Sequence, residues 1–170
     1  MIKMSSDNII IREISDIDAR EVLQIFEMGI ETGNATFEKV APTWNDWKAN
    51  HHIHSRFAAE ADHKIVGWVA LSAVSKREAY KGVAEISIYL HNDYKGRGIG
   101  SAMMEKVIES SEQNGIWTLL AVVFPENIAS VNLHKKHGFR VIGTRDKISK
   151  INGIWRDTLM LERRSRKTGL

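Results

Sequence analysis

The sequence predicts a mixed α/β domain, and three observations carry that expectation. Short β-branched or apolar runs of strand length alternate with stretches whose apolar residues recur at helical spacing. One run, Leu119 to Phe124, is apolar throughout, the pattern of a central strand covered on both faces. The element order is strand, two helices, three strands, helix, strand, helix, two strands. That is not a regular βαβ repeat, so the expected architecture is a mixed seven-stranded sheet with about four helices on its faces.

Ile9-Ile10-Ile11-Arg12-Glu13-Ile14 reads as the first strand. Ser15-Asp16 supplies a cap for a helix carrying Ile17, Val22, Leu23, Ile25, Phe26 and Ile30 at helical spacing, ended by Gly33-Asn34. After a loop containing Thr36, Phe37 and Glu38, Thr43 caps a second helix running through Trp47 towards His54. Arg56 to Ala61 and Lys64 to Val74 form a hairpin around Asp62-His63, and Ser75 to Gly82 is a polar loop. Val83 to Leu90 alternates as a strand, and a glycine-rich turn leads into an amphipathic helix. That helix turns Ile99, Met103, Val107 and Ile108 inward and Glu105, Glu109 and Glu112 outward, and Asn114-Gly115 stops it. Pro125 breaks the apolar strand, Asn127 caps a short helix to His137, and Gly138 ends it. Phe139 to Thr144 and Ile154 to Leu161 make a final antiparallel pair.

Composition bounds the function. The 170 residues suit one domain over 9–162, with a lead-in at 1–8 and a basic tail at 163–170, expected to be solvated and frayed. No cysteine is present, which excludes disulfides, thiolate metal sites and a cysteine nucleophile. The net charge of +3 suits an anionic small molecule and is too mild to imply nucleic acid. No apolar run approaches the roughly 18 residues of a membrane span, and the first residues lack the apolar core of a secretion signal, so a cytoplasmic protein is expected. His51, His52 and His54 lack companion carboxylates; a solvated helix end is expected there, and no metal site. The five tryptophans are scattered and read as core or interface residues.

The strongest chemical signal lies between Val83 and Gly115. Gly96, Gly98 and Gly100 leave backbone N–H groups clear to converge on an anion at the positive end of the following helix, with Lys95 and Arg97 adding charge. The spacing fits neither a Walker loop nor the Gly-x-Gly-x-x-Gly dinucleotide fingerprint. Instead, Lys95-Gly96-Arg97-Gly98-Ile99-Gly100 is followed some thirty residues on by Asn127-Ile128-Ala129-Ser130-Val131-Asn132-Leu133-His134-Lys135-Lys136-His137-Gly138-Phe139. Together these segments resemble the GNAT superfamily of N-acetyltransferases. That family's pyrophosphate loop reads Arg/Gln-x-x-Gly-x-Gly/Ala, and its second motif places a tyrosine where this chain has His134. Thr36-Phe37-Glu38, Ala79-Tyr80, Ala84 to Leu90 and Ser130 to His134 narrow the likeness to the phosphinothricin acetyltransferase branch, which acetylates small amino acids and analogues such as methionine sulfoximine. The resemblance runs from about Ile9 to Glu162.

The resemblance implies a GNAT-like acyl-CoA N-acyltransferase fold, acetyl-CoA as co-substrate, a small-molecule amine as acceptor, and a homodimer. It places the general base at Glu85, and a group facing the CoA sulfur at His134, able to protonate a thiolate or hydrogen-bond the thioester. With no cysteine, the acetyl group passes directly between substrates in a ternary complex. Cofactor contacts are implied for the backbone of Ile88, Tyr89 and Leu90, for Lys95, Gly96, Arg97, Gly98, Ile99, Gly100 and Ser101 at the pyrophosphate, and for Asn127 and Ser130; Lys135 and Lys136 are candidates for the adenosine phosphates. Acceptor contacts are implied for Phe37 and for Ser75, Lys76, Arg77 and Tyr80. Two rivals remain: an acetyltransferase for a protein N-terminus, a polyamine or an aminoglycoside, and a CoA-binding sensor without catalysis. The basic Ser75–Tyr80 loop disfavours a polyamine, and the presence of both Glu85 and His134 disfavours the sensor.

Overall fold

The computed structural model describes residues 8–170, so the expected lead-in over 1–8 lies, but for residue 8, outside the described residues. Seven strands form one sheet: β1 (Ile9–Glu13), β2 (Phe57–Ala61), β3 (Lys64–Ala73), β4 (Val83–Leu90), β5 (Thr118–Val123), β6 (Arg140–Ile151) and β7 (Ile154–Arg164). Their order is β1-β2-β3-β4-β5-β7-β6, and among the described residues only β4 and β5 pair in parallel. Four helices cover it: α1 (Ala19–Glu31), α2 (Trp44–Asn50), α3 (Ile99–Gln113) and α4 (Ile128–Lys136). The mixed seven-stranded architecture with four helices is the one expected from the sequence.

Two apolar layers hold the helices to opposite faces. Val22, Ile25 and Phe26 of α1 and Trp47 of α2 pack on Ala58, Trp68 and Ala70. Met103, Met104 and Val107 of α3 and Val131 of α4 pack on Val69, Leu71, Ile86 and Leu119. Because β4 alternates, Ala84 and Ile86 join the α3 layer while Tyr89 packs against the α1–α2 layer, which sets Glu85 and Ser87 on that second side too.

Four details depart from the expectation. Ile17 is exposed and the first helix begins at Ala19; the Asp18 carboxylate accepts from the Ser15 N–H at 2.8 Å and binds both terminal nitrogens of Arg12, which sets a 3₁₀ turn first. The second helix stops at Asn50, since the Arg56 guanidinium takes the carbonyls of Lys48, His51 and His52, and the chain then runs extended. The histidines there are therefore half-buried rather than a solvated helix end; His51 Nδ1 lies 2.6 Å from the Trp47 carbonyl, and burial pushes all three imidazoles down. β6 continues to Ile151 with two irregularities in its pairing, a length hidden from the sequence because none of its residues is fully buried. Finally, 163–170 is not a frayed tail. Arg163 and Arg164 belong to β7, and Ser165 is buried and donates to Glu112 at 2.9 Å. Arg163 and Lys167 pair with the same carboxylate, so Glu112 packs inward against the tail instead of facing out.

Candidate active site

β4 and β5 pair over only three positions, Val83↔Thr118, Ala84↔Leu119 and Glu85↔Leu120. Beyond Glu85 each strand follows its other neighbour: β4 stays on β3 as far as Leu90, and β5 stays on β7 as far as Val123. The sheet therefore opens into a wedge, with β4 backbone beyond Glu85 unpaired on that side. Two cavities fill the wedge. The first, about 300 Å³, is lined by Glu85, Ser87, Phe37, Phe124, His134 and Thr158 among others. The second, about 350 Å³, is lined by Leu90, Lys95, Gly96, Gly98, Gly100, Ser101 and Leu133 among others. They share Ala35, Ile88, Tyr89, Asn127 and Ser130 and so form one groove through the wedge.

The second cavity has the form of an anion cradle. Gly96 and Gly98 take φ of +77° and +81°, and a Cβ at either would meet nothing within 4 Å. These residues line the cavity at the start of α3, where the first N–H groups of a helix have no intrahelical acceptor and are free for an anion. Lys95 lines the cavity, and Lys136 brings its ammonium to 3.1 Å from the Ser101 hydroxyl. Arg97 instead turns back to the Asp93 carbonyl and the Tyr94 ring. His137, which the sequence did not single out, also reaches Ser101 at 3.2 Å. Loop and lysines suit the diphosphate and phosphate groups of a CoA thioester, with the unpaired edge of β4 available to its amide-bearing arm. Asn127 does two jobs: its Oδ1 accepts from the Ser130 N–H, capping α4, and its Nδ2 donates to the Asn34 carbonyl, tying α4 to the loop that roofs the groove.

The first cavity gathers titratable groups, Glu85, Tyr89 and His134. Burial raises Glu85 above the usual carboxylate range, with Arg145 pulling the other way. Tyr89 stacks on Trp68 and is held protonated by burial. His134 is 2% exposed and set edge-on to Phe139, and burial pushes its imidazole down. Its Nδ1 lies 2.7 Å from the Ser130 carbonyl, which can only accept, so the hydrogen sits on Nδ1. Nε2 is then a bare lone pair, buried and without a partner among the described residues. A neutral His134 thus presents an acceptor at the cavity wall, the wrong polarity for donating to a thioester oxygen.

Phe37 meets Phe124 edge-on at 4.9 Å in the cavity wall. Ser75, Lys76, Arg77 and Tyr80 lie on the turn before β4 and do not line either cavity; Arg77 covers the Tyr80 ring. The sequence missed Ser87, Phe124, Thr158 and Arg156. Ser87 was within reach, being two residues from Glu85 on the same strand face. Arg156 had no local signal, since its partners are Gly33, Asn34 and Glu126, with Phe124 beneath its guanidinium at 4.4 Å. Among the described residues no three His, Asp or Glu side chains gather as a metal site, and no helix is long and apolar enough to cross a membrane.

A splayed parallel strand pair, a glycine cradle at a helix start and a half-buried carboxylate beside the splay are the parts an acyl-CoA-dependent acyltransferase needs. Residues 20–139 match the Acetyltransferase (GNAT) family, and the chain belongs to that family as an acetyl-CoA-dependent N-acetyltransferase. It is 23% identical over 158 residues to an L-methionine sulfoximine/L-methionine sulfone acetyltransferase of Pseudomonas aeruginosa, covering 89% of this chain and 92% of the relative. It is 28% identical over 160 residues to a phosphinothricin N-acetyltransferase of Alcaligenes faecalis, covering 90% and 81%. Its fold matches that of a GNAT superfamily phosphinothricin acetyltransferase from Sinorhizobium meliloti, solved in complex with AcCoA, with a TM-score of 0.86 at 24% identity over 95% of this chain and 90% of the other.

Proposed function

We propose that this enzyme acetylates the α-amino group of a small amino acid or toxic analogue of the phosphinothricin or methionine sulfoximine type. The observation that carries this is the joined groove: a cradle for the acyl donor at one end and, at the other, a cavity of only about 300 Å³ holding Glu85. A cavity of that size suits a small acceptor better than a protein N-terminus, and the activities named for the relatives above point the same way.

Acetyl-CoA supplies an activated thioester; the rest is proton handling and orientation by the protein. An amino acid arrives as an ammonium, which has no lone pair. Glu85 takes its proton, directly or through water, and the raised carboxylate makes that base competent near neutral pH. The freed amine forms the N–C bond as the C–S bond breaks, and the thiol departs protonated, so one proton is released per turnover. His134, with its hydrogen on Nδ1, acts as an acceptor at the wall and orients a donor there; it is not a standing acid.

The deciding measurement is thiol release from acetyl-CoA with a panel of amines that includes phosphinothricin, methionine sulfone, spermidine and a peptide N-terminus. Amino acids should give the highest kcat/KM. Turnover confined to the polyamine or the peptide refutes the substrate class, and CoA binding without turnover favours a sensor. His134→Phe should lower kcat by about tenfold and cost about 1 kcal/mol for the lost Ser130 hydrogen bond. If only thermal stability falls, the role of His134 is structural.

We take the enzyme to work in the cytoplasm as a homodimer. Ile154 and Trp155, 66% and 54% exposed at the tip of the β6–β7 hairpin, and Val141, Ile142 and Ile148 on β6 offer an apolar surface for a second copy. Sedimentation should read twice the 19.3 kDa chain mass.

A further inference from the structure

One cation on the acceptor side has no carboxylate in ion-pair contact among the described residues. Arg145 of β6 stands in register with Thr158 of β7. Residues so paired project from the same face of a sheet. Thr158 lines the Glu85 cavity, and its Oγ1 is buried there without a partner. Arg145 thus rises beside the cavity wall, on the side of the sheet that carries Glu85. The one hydrogen bond recorded for its guanidinium is to the Met160 sulfur at 3.1 Å. A thioether is a weak acceptor and carries no charge, so the guanidinium fork, exposed to solvent, is open to a charged ligand. Neighbouring guanidiniums are occupied: Arg156 holds Gly33, Asn34 and Glu126, and Arg140 holds Glu162. Arg77, the cation the sequence favoured for the acceptor, covers Tyr80 outside the cavity wall.

We infer that Arg145 binds the carboxylate of the amino-acid acceptor, forming with Glu85 a matched pair for a zwitterion: carboxylate to the guanidinium, ammonium to the glutamate. The Thr158 hydroxyl is placed to donate to the same carboxylate. A planar fork suits this ligand, since two parallel N–H···O bonds fix the orientation of the amine as well as its affinity. The electrostatic effect of Arg145 on Glu85 agrees with their proximity. The inference rests on the amino-acid reading above and adds to it the group that makes an amino acid, rather than a simple amine, the preferred acceptor.

The test compares methionine sulfone with 3-(methylsulfonyl)propylamine, the same molecule without its carboxylate, in the full-length enzyme. Wild type should favour the amino acid in kcat/KM by about 10–100-fold, the worth of a charge-assisted bidentate contact. Measured on the alkaline plateau, where Glu85 is ionised with or without Arg145, Arg145→Gln should raise KM for methionine sulfone by a similar factor while leaving kcat/KM for the amine and KM for acetyl-CoA unchanged, so that the preference collapses. Arg145→Lys keeps the charge without the fork; it should lose part of the preference, and it decides the matter if the Gln variant does not fold. A preference unchanged in the variants overturns the role of Arg145 and leaves the amino-acid reading intact. A wild-type enzyme that turns over amines but no amino acid overturns both.

Discussion

Glu85→Gln is expected to lower kcat by about 10²–10⁴-fold at neutral pH and to leave KM for acetyl-CoA within about twofold. The substitution keeps the side chain's shape and removes its ability to take a proton. Glu85 lines the acceptor cavity and is absent from the wall of the cradle, so the two substrates should respond separately. The wild-type pH profile carries the same information. A base must be ionised, and burial raises the pKa of Glu85, so kcat/KM for the amine should fall on the acid side at a pH above the ordinary carboxylate range of about 4.3. Arg145 opposes that rise, and Tyr89 stays protonated across the range and contributes no step. Removing Arg145 should therefore move the acid limb to still higher pH. A Gln variant with wild-type kcat would take Glu85 out of the chemistry.

Gly98→Val is expected to weaken acetyl-CoA binding by about 10–100-fold, read by calorimetry or as KM for the thioester. Gly98 has φ of +81°, where a side chain costs about 1–2 kcal/mol. Its Cβ would meet no protein atom within 4 Å, so the added isopropyl group is accommodated by the fold and occupies the volume assigned to the diphosphate. The melting temperature should drop modestly while affinity drops steeply. Wild-type affinity in this variant would place the diphosphate elsewhere.

Stability should also depend on pH in a definite direction. His134 and His51 are both pushed below the ordinary histidine value of about 6.5 by burial, so the unfolded chain binds protons first as pH falls. Folding stability is then undiminished above that value and declines as the pH is lowered through it.

Much of this molecule was legible before any fold was seen. The caps at Thr43 and Asn127 sit where their side chains predict, accepting from Asp46 and Ser130. The Gly96–Ser101 turn opens α3 as expected, because local backbone freedom and helix polarity need no distant partner to act. Phe37 also stands in the cavity wall, though its contact with Phe124 crosses the sequence by almost ninety residues. What failed did so where side-chain contacts or exposure, which periodicity does not report, decided the outcome. Glu112 is turned inward by Arg163, Ser165 and Lys167 from far along the chain, the Arg56 guanidinium closes the second helix from only a few residues away, and β6 is too exposed to show a buried face.

By itself, then, the chain determined its strands and helices and its anion-binding turn, since these follow from periodicity and glycine conformation over a few neighbouring residues, while Glu85 became the candidate base through the resemblance to the acetyltransferase family. Tertiary structure alone decided where the sheet opens, because pairing between β4 and β5 ends when each strand keeps to its other neighbour. It also decided the charge and polarity of the groups in the wedge. A carboxylate raised by burial, an imidazole whose hydrogen is fixed by the Ser130 carbonyl, and a guanidinium brought beside them from sixty residues away are properties of an enclosure, and no stretch of sequence encloses itself.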